Sequence, residues 1–205
     1  MLGPAPDSTE LNHVHKLSVL ALLTVLAAPA IEAAPVSYSL VTTHTDAVFE
    51  ISHAGYSMKH GWFRNVTGTM SYDAGKIEAS TVDVTIKADS IDTNHAPRDK
   101  DLTGPGFLDA AKYPELHFVS TKVTRTGDST LDVDGNFSLH GVTRPLLLHV
   151  KLNRSGPSPF SHAPTLGFTA TGTFQRSDFG MTTMIPLIGD AVSITIDTEF
   201  AAAPT

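Results

Sequence analysis

The 205-residue sequence contains no cysteine. Disulfides, thiolate metal sites and cysteine nucleophiles are thereby excluded, and an oxidising compartment remains compatible with the chain. Basic residues are scarce: 14 Lys and Arg stand against 21 Asp and Glu, a formal charge of −7 with histidine neutral. A mildly acidic chain has no electrostatic footprint for nucleic acid and little for anionic lipid headgroups. No apolar run is long enough to span a membrane as a helix, which needs about 20 residues. The longest, Leu17–Ala28, falls well short of that. Internal repeats, heptads and long amphipathic helices are also missing. So are the His-x-x-x-His and His-Glu-x-x-His spacings of zinc sites, although histidines are scattered from His44 to His162. No Gly-x-Ser-x-Gly elbow occurs, and Gly104-Pro105-Gly106 reads as a turn rather than a phosphate cradle. Asp132-Val133-Asp134-Gly135-Asn136 does not make a calcium loop, because its glycine is misplaced and strand alternation runs through it.

What is present is alternation with a period of two, segment after segment. Val82, Val84 and Ile86 share one parity against Thr81, Asp83, Thr85 and Lys87. Leu131, Val133, Phe137 and Leu139 repeat the pattern, as do Leu146, Leu148, Val150 and Leu152, then Phe168, Ala170 and Phe174, then Val192, Ile194 and Ile196. Successive side chains of a strand point to opposite faces, so these segments are half-buried strands of an antiparallel sheet. The spacing predicts strands near 37–43, 47–53, 62–72, 80–88, 116–124, 130–140, 144–152, 167–176 and 191–200. Residues 153–166 read as a surface loop, and 89–115 as a connection holding one or two short helical turns, around Pro97–Leu102 and Phe107–Lys112. Many strands with one dry face and mostly short links favour closure into a barrel, which removes exposed sheet edges; a two-sheet sandwich is the alternative. The expected fold is all-β: a single eight-stranded antiparallel up-and-down barrel.

Residues 1–33 are expected to be an export signal. Lys16 precedes the short apolar core Leu17–Ala28, and Ile31-Glu32-Ala33 or Ala28-Pro29-Ala30 suits a signal peptidase. The acidic residues Asp7 and Glu10 ahead of the core make this an atypical leader. Its removal takes three acids and one base, leaving 18 acids, 13 bases and a formal charge of −5. Residues 34–205 then form one domain, periplasmic or secreted.

The segments between strands carry a resemblance. His44-Thr45-Asp46-Ala47-Val48-Phe49-Glu50-Ile51-Ser52-His53 is followed by Gly61-Trp62-Phe63 and Gly68-Thr69-Met70. A central set follows: Ser90-Ile91-Asp92-Thr93, Arg98-Asp99, Leu102, Phe107-Leu108-Asp109, Tyr113-Pro114 and Phe118. Gly135–Pro145 and Arg176-Ser177-Asp178-Phe179-Gly180 complete it. In order and spacing the chain resembles the YceI family of exported, lipocalin-like isoprenoid-binding proteins, from about residue 36 to 200. It departs in having Thr45 where Ser is usual and Leu108 where a second aromatic is usual. The resemblance implies an extended eight-stranded barrel whose apolar tunnel holds a polyprenyl chain, such as a quinone tail or polyprenyl phosphate. It brings no catalytic residues, because the family is not established as enzymatic.

Parity predicts the ligand-binding wall. Phe49, Ile51 and His53 share a face of their strand, and Val84, Ile86, Phe137, Leu148, Phe168, Phe174 and Ile194 supply the rest. The competing reading for each is packed core without a cavity. Arg176 continues the parity of Phe168 and Phe174, so it is expected near one end of the interior with His53. There it either meets a quinone ring or phosphate or pairs with a nearby carboxylate. Arg98, Asp99 and Asp109 are expected to brace a loop over the barrel through an ion pair. The favoured function is a non-enzymatic carrier with no metal, holding a polyisoprenoid such as ubiquinone or polyprenyl phosphate. The alternative is a packed barrel that docks a membrane-associated redox or stress-response partner; an enzyme using His53 as acid or base is a third. A homodimer is a further expected partner arrangement.

Overall fold

A computed structural model describes residues 1–3 and 34–203. The export-signal reading of residues 1–33 therefore falls almost wholly outside the described residues. Residues Glu32–Thr205 form a compact unit that contains every described strand and both core clusters, so the barrel is self-contained.

Ten strands are found among the described residues: β1 (Val36–His53), β2 (Ser57–Phe63), β3 (Val66–Tyr72), β4 (Thr81–Lys87), β5 (Ile91–Asp92), β6 (Glu115–Arg125), β7 (Thr130–Leu139), β8 (Val142–Pro157), β9 (Pro164–Gln175) and β10 (Ile188–Ala202). All pairings are antiparallel, and the order β10-β9-β8-β7-β6-β4-β3-β1 closes through β1 on β10. Those eight strands form the barrel. β2 and β5 extend its wall at one end.

The two segments expected at 37–43 and 47–53 are one strand, β1, whose register slips between Leu40 and Thr45 against β10. Its other edge serves two neighbours in turn: Val36–Ser39 pair with β3 and Ala47–His53 pair with β2. The segment expected as one strand at 62–72 is accordingly two, broken at Arg64-Asn65, where Arg64 N–H donates to the Ser90 carbonyl and the Asn65 carbonyl accepts from Lys87. The loop expected at 153–166 shrinks to residues 158–163, since β8 and β9 pair out to Pro157 and Pro164. Proline is tolerated there because strand ends need no further N–H donor. Of the two helical turns, the first is a real helix, α1 (Ala96–Thr103), with Pro97 in its first turn and the His95 ring capping its N-terminus. The second is a run of turns held by Leu108 N–H on the Leu102 carbonyl and Ala110 N–H on the Thr103 carbonyl.

Tight hairpins aim two of the connections. Ala54 (φ 51°), Gly55 (φ 72°) and Tyr56 join β1 to β2, and His140 (φ 52°) and Gly141 (φ 76°) join β7 to β8. Two successive positive-φ residues make the turn whose twist matches that of the flanking strands.

At the termini end of the barrel Tyr38, Met70, Leu166, Phe168, Phe200 and Ala202 pack into a core cluster. At the opposite end Phe137, Phe174 and Phe179 form an aromatic triangle with ring centroids 5.3–5.6 Å apart. That end also carries the β1–β2 hairpin, α1 and the 176–188 loop.

Candidate functional site

The barrel interior is not filled. A cavity of about 530 Å³ runs through it, walled mostly by aliphatic and aromatic side chains. All eleven residues predicted from parity border it: Phe49, Ile51 and His53 on β1, Val84 and Ile86 on β4, Phe137 on β7, Leu148 on β8, Phe168 and Phe174 on β9, Arg176 just beyond, and Ile194 on β10. Phe137, Leu148 and Phe168 are buried. Phe49, Ile51, Val84, Ile86, Phe174 and Ile194 share the inward parity yet are only half-buried, because their inner surface borders empty space instead of another side chain.

Phe49 owes its position to a glycine. Its ring lies directly over Gly61, its partner in the β1–β2 register, so tightly that no Cβ fits between them. The ring leans on Phe63 at 5.9 Å and closes that side of the wall.

The Lys, Arg and Asp groups of the lining gather at the hairpin end. Across the β1–β2 hairpin Lys59 stands opposite Ile51 and so shares its inward face. Among the described residues its ammonium has no carboxylate within ion-pair distance. Arg98 reaches the lining from α1 and Asp101 from the same helix. The expected ion pair between Arg98 and an aspartate is replaced by a junction at buried Thr93. Asp99 Oδ1 accepts from the Thr93 N–H at 2.9 Å and from its hydroxyl, while Arg98 donates through Nε to Thr93 Oγ1 at 2.7 Å and through Nη2 to Thr93 O at 2.6 Å. One threonine thus satisfies both charged groups, and no direct contact between them is needed.

Arg176 corrects the expectation of a carboxylate partner. It is 4% exposed and is clamped by backbone carbonyls: Gly189 and Met181 at 2.8 Å, Thr183 at 2.8 Å and Ile188 at 3.0 Å. Four of the five guanidinium N–H donors are used in holding the 181–189 loop. Burial lowers the guanidinium pKa, an effect the nearby Asp190 charge opposes, and an arginine still stays cationic. Asp190 itself accepts from the Ser177 hydroxyl at 2.7 Å and from its N–H at 2.8 Å. Those bonds, with the Arg176 charge, hold its carboxyl below the ordinary value against the opposing effect of burial. His53 is exposed at the rim, paired with Ile188 and Ser57.

The lining therefore holds three permanent cations (Lys59, Arg98 and Arg176) and one carboxylate, Asp101, all at one end of an otherwise apolar chamber. Lys59, Phe63, Leu102, Phe107, Met181 and Met184 were not predicted from parity. The three-residue, glycine-containing link Ala54-Gly55-Tyr56 is the signal that would have placed Lys59 and Phe63, since it fixes their register on Ile51 and Ala47.

The YceI-like domain model matches residues 38–200, from within β1 to within β10 of the closed barrel. The chain belongs to the YceI family. A UPF0312 protein of Pseudomonas savastanoi pv. phaseolicola is 47% identical over 138 residues, 67% of this chain and 71% of that one. The crystal structure of Burkholderia cenocepacia BcnA superposes with a TM-score of 0.71 at 19% identity, covering 78% of this chain and 98% of that one. A polyisoprenoid binding domain from Saccharophagus degradans, implicated in plant cell wall breakdown, gives 0.59 at 15% identity, covering 82% and 99%. At those identities the structural likeness establishes the YceI fold for this chain and nothing finer.

Proposed function

We propose that this YceI-family protein is a non-enzymatic carrier of an amphiphilic polyisoprenoid, exported to the periplasm or beyond. The observation that carries the reading is the cavity: about 530 Å³, inside the size range of small-molecule sites, lined mostly by apolar side chains, with its Lys, Arg and Asp groups gathered at one end. A guest matching that profile has a long apolar chain and one polar head. Each buried methylene contributes roughly 0.8 kcal/mol, so the chain supplies most of the affinity. Three cations against one carboxylate at the hairpin end favour a head that is anionic or rich in acceptors, a polyprenyl phosphate or a quinone such as ubiquinone. The name of the Saccharophagus domain supports the same class. Export rests on the leader pattern of Lys16 and Leu17–Ala28.

The test narrows the chamber. Ile194→Trp places an indole in mid-cavity from β10, where Ile194 is only half-buried. Displacing two chain methylenes costs about 1.6 kcal/mol, more than roughly tenfold in affinity. The variant is expected to keep its urea midpoint and to lose at least that much binding of geranylgeranyl phosphate. Unchanged binding by a folded variant would place the guest elsewhere.

A further inference from the structure

The hairpin end carries exposed apolar side chains that neither core nor cavity explains. Tyr56 at the β1–β2 tip is 93% exposed, Met58 is 46% exposed, and Leu187 on the neighbouring loop is 59% exposed. None of the three borders the cavity. The two segments are joined by a hydrogen bond from Ala54 N–H to the Leu187 carbonyl and by the His53–Ile188 pairing, so the three side chains belong to one rim. Met184, 54% exposed, continues the rim to the cavity, whose lining it joins.

Charge on this rim departs from that of the molecule. Residues 51–61 contain Lys59, His53 and His60 and no carboxylate, and residues 179–189 contain no charged residue, in a chain whose net charge is −7; His60 pairs with Glu50 at 3.4 Å, which leaves Lys59 as the cation without a carboxylate partner among the described residues there. The Trp62 ring, with Arg64 5.1 Å from its centroid, lies farther down the wall, where Arg64 pairs with Asp92 at 2.9 Å, and is no part of this rim. An exposed tyrosine beside a lysine and exposed aliphatic side chains suits the water–lipid boundary, where the ring sits among headgroups and the basic side chain reaches phosphate.

We propose that this rim docks the protein on a bilayer surface containing anionic lipid, holding the cavity mouth where a prenyl chain leaves the acyl phase. The inference rests on the carrier reading for its purpose but on the rim alone for its geometry. A polyisoprenoid dissolves in no aqueous compartment, so a carrier must meet a membrane at the mouth of its chamber.

The test uses residues 34–205, the self-contained barrel, which keeps the apolar segment Leu17–Ala28 out of a membrane assay. Flotation is measured with phosphatidylcholine vesicles with and without phosphatidylglycerol. The parent barrel is expected to float, more so with phosphatidylglycerol, and to lose that increment as salt screens it. Tyr56→Ser/Met58→Ser/Leu187→Ser is expected to lose roughly tenfold in partitioning, because interfacial binding scales with the apolar area inserted. Phe160→Ser serves as control: Phe160 is 90% exposed at the opposite end and should not matter. Uptake of geranylgeraniol delivered from ethanol without vesicles is measured on all three proteins and should be equal. Equal flotation of parent and triple variant overturns the proposal, as does no flotation at all. A parent dimer that the triple variant dissolves, with neither floating, overturns it in favour of contact between two copies. Rim-dependent flotation by proteins that refuse geranylgeraniol upholds the docking face and removes the carrier reading.

Discussion

Arg176 and Asp190 divide the work of fixing the loop at the cavity mouth. The guanidinium binds carbonyls of the 181–189 loop, and the carboxylate binds Ser177 on the preceding 3-10 turn. Neither salt-bridges the other directly, so the charges act on backbone and hydroxyl groups. The Asp190 carboxyl lies below its ordinary 3.8, chiefly through the Ser177 hydroxyl. A depressed folded value means the unfolded chain binds more protons across that interval, so stability rises with pH there. Its contribution is fully present above about pH 3.8, the ordinary value, and is lost as pH falls through the lower folded one. Asp190→Asn removes this dependence. Urea midpoints of parent and variant are expected to differ most near neutral pH and to converge below the ordinary carboxylate range. A difference that stays constant with pH would contradict the assignment. Other depressed carboxyls such as Asp92 cancel in the comparison. The sequence carried only part of this. Parity along β9 pointed Arg176 inward, but the carbonyls that satisfy it come from a loop with no periodic signal, so its partner was not legible.

Strands are where the sequence speaks most plainly, since a period of two leaves each apolar residue one choice of face. The eleven wall residues follow from it even though their strands shift in extent. Legibility fails where one element changes neighbours. β1 exchanges β3 for β2 along one edge, and nothing in the alternation announces that exchange. β2 itself is obscured by Gly61 and by Met58, an apolar side chain turned outward. α1 has no buried residue among its eight and so no apolar stripe to read. Gly61 is the element-level test. Gly61→Val forces the Phe49 ring off β2, and the open direction is the cavity. Overpacking of this kind costs roughly 1–3 kcal/mol. The variant is expected to lose about that much stability in urea and also to bind less prenyl guest. A variant that loses stability but keeps full guest uptake would show that Phe49 does not shape the chamber.

At the scale of the whole barrel, the described strands form a closed tube with unequal ends. The termini end is packed with aromatic and aliphatic side chains, while the hairpin end combines cations, a clamped loop and an exposed apolar rim. That polarity is what a chamber needs if an amphiphile enters chain first and keeps its head at the door. An apolar interior was legible from the dry parity of the strands. Its hollowness was not, because alternation is the same whether side chains meet across the barrel or leave space between them; the chamber became visible only when the half-buried inward residues were placed in three dimensions. The account therefore stands or falls on occupancy. Native mass spectrometry of the protein recovered from its own host, followed by solvent extraction of whatever it carries, tests this most directly. The account predicts one polyprenyl species per barrel, released by solvent and identified by its head group. Empty protein that also refuses added ubiquinone and polyprenyl phosphate would contradict it.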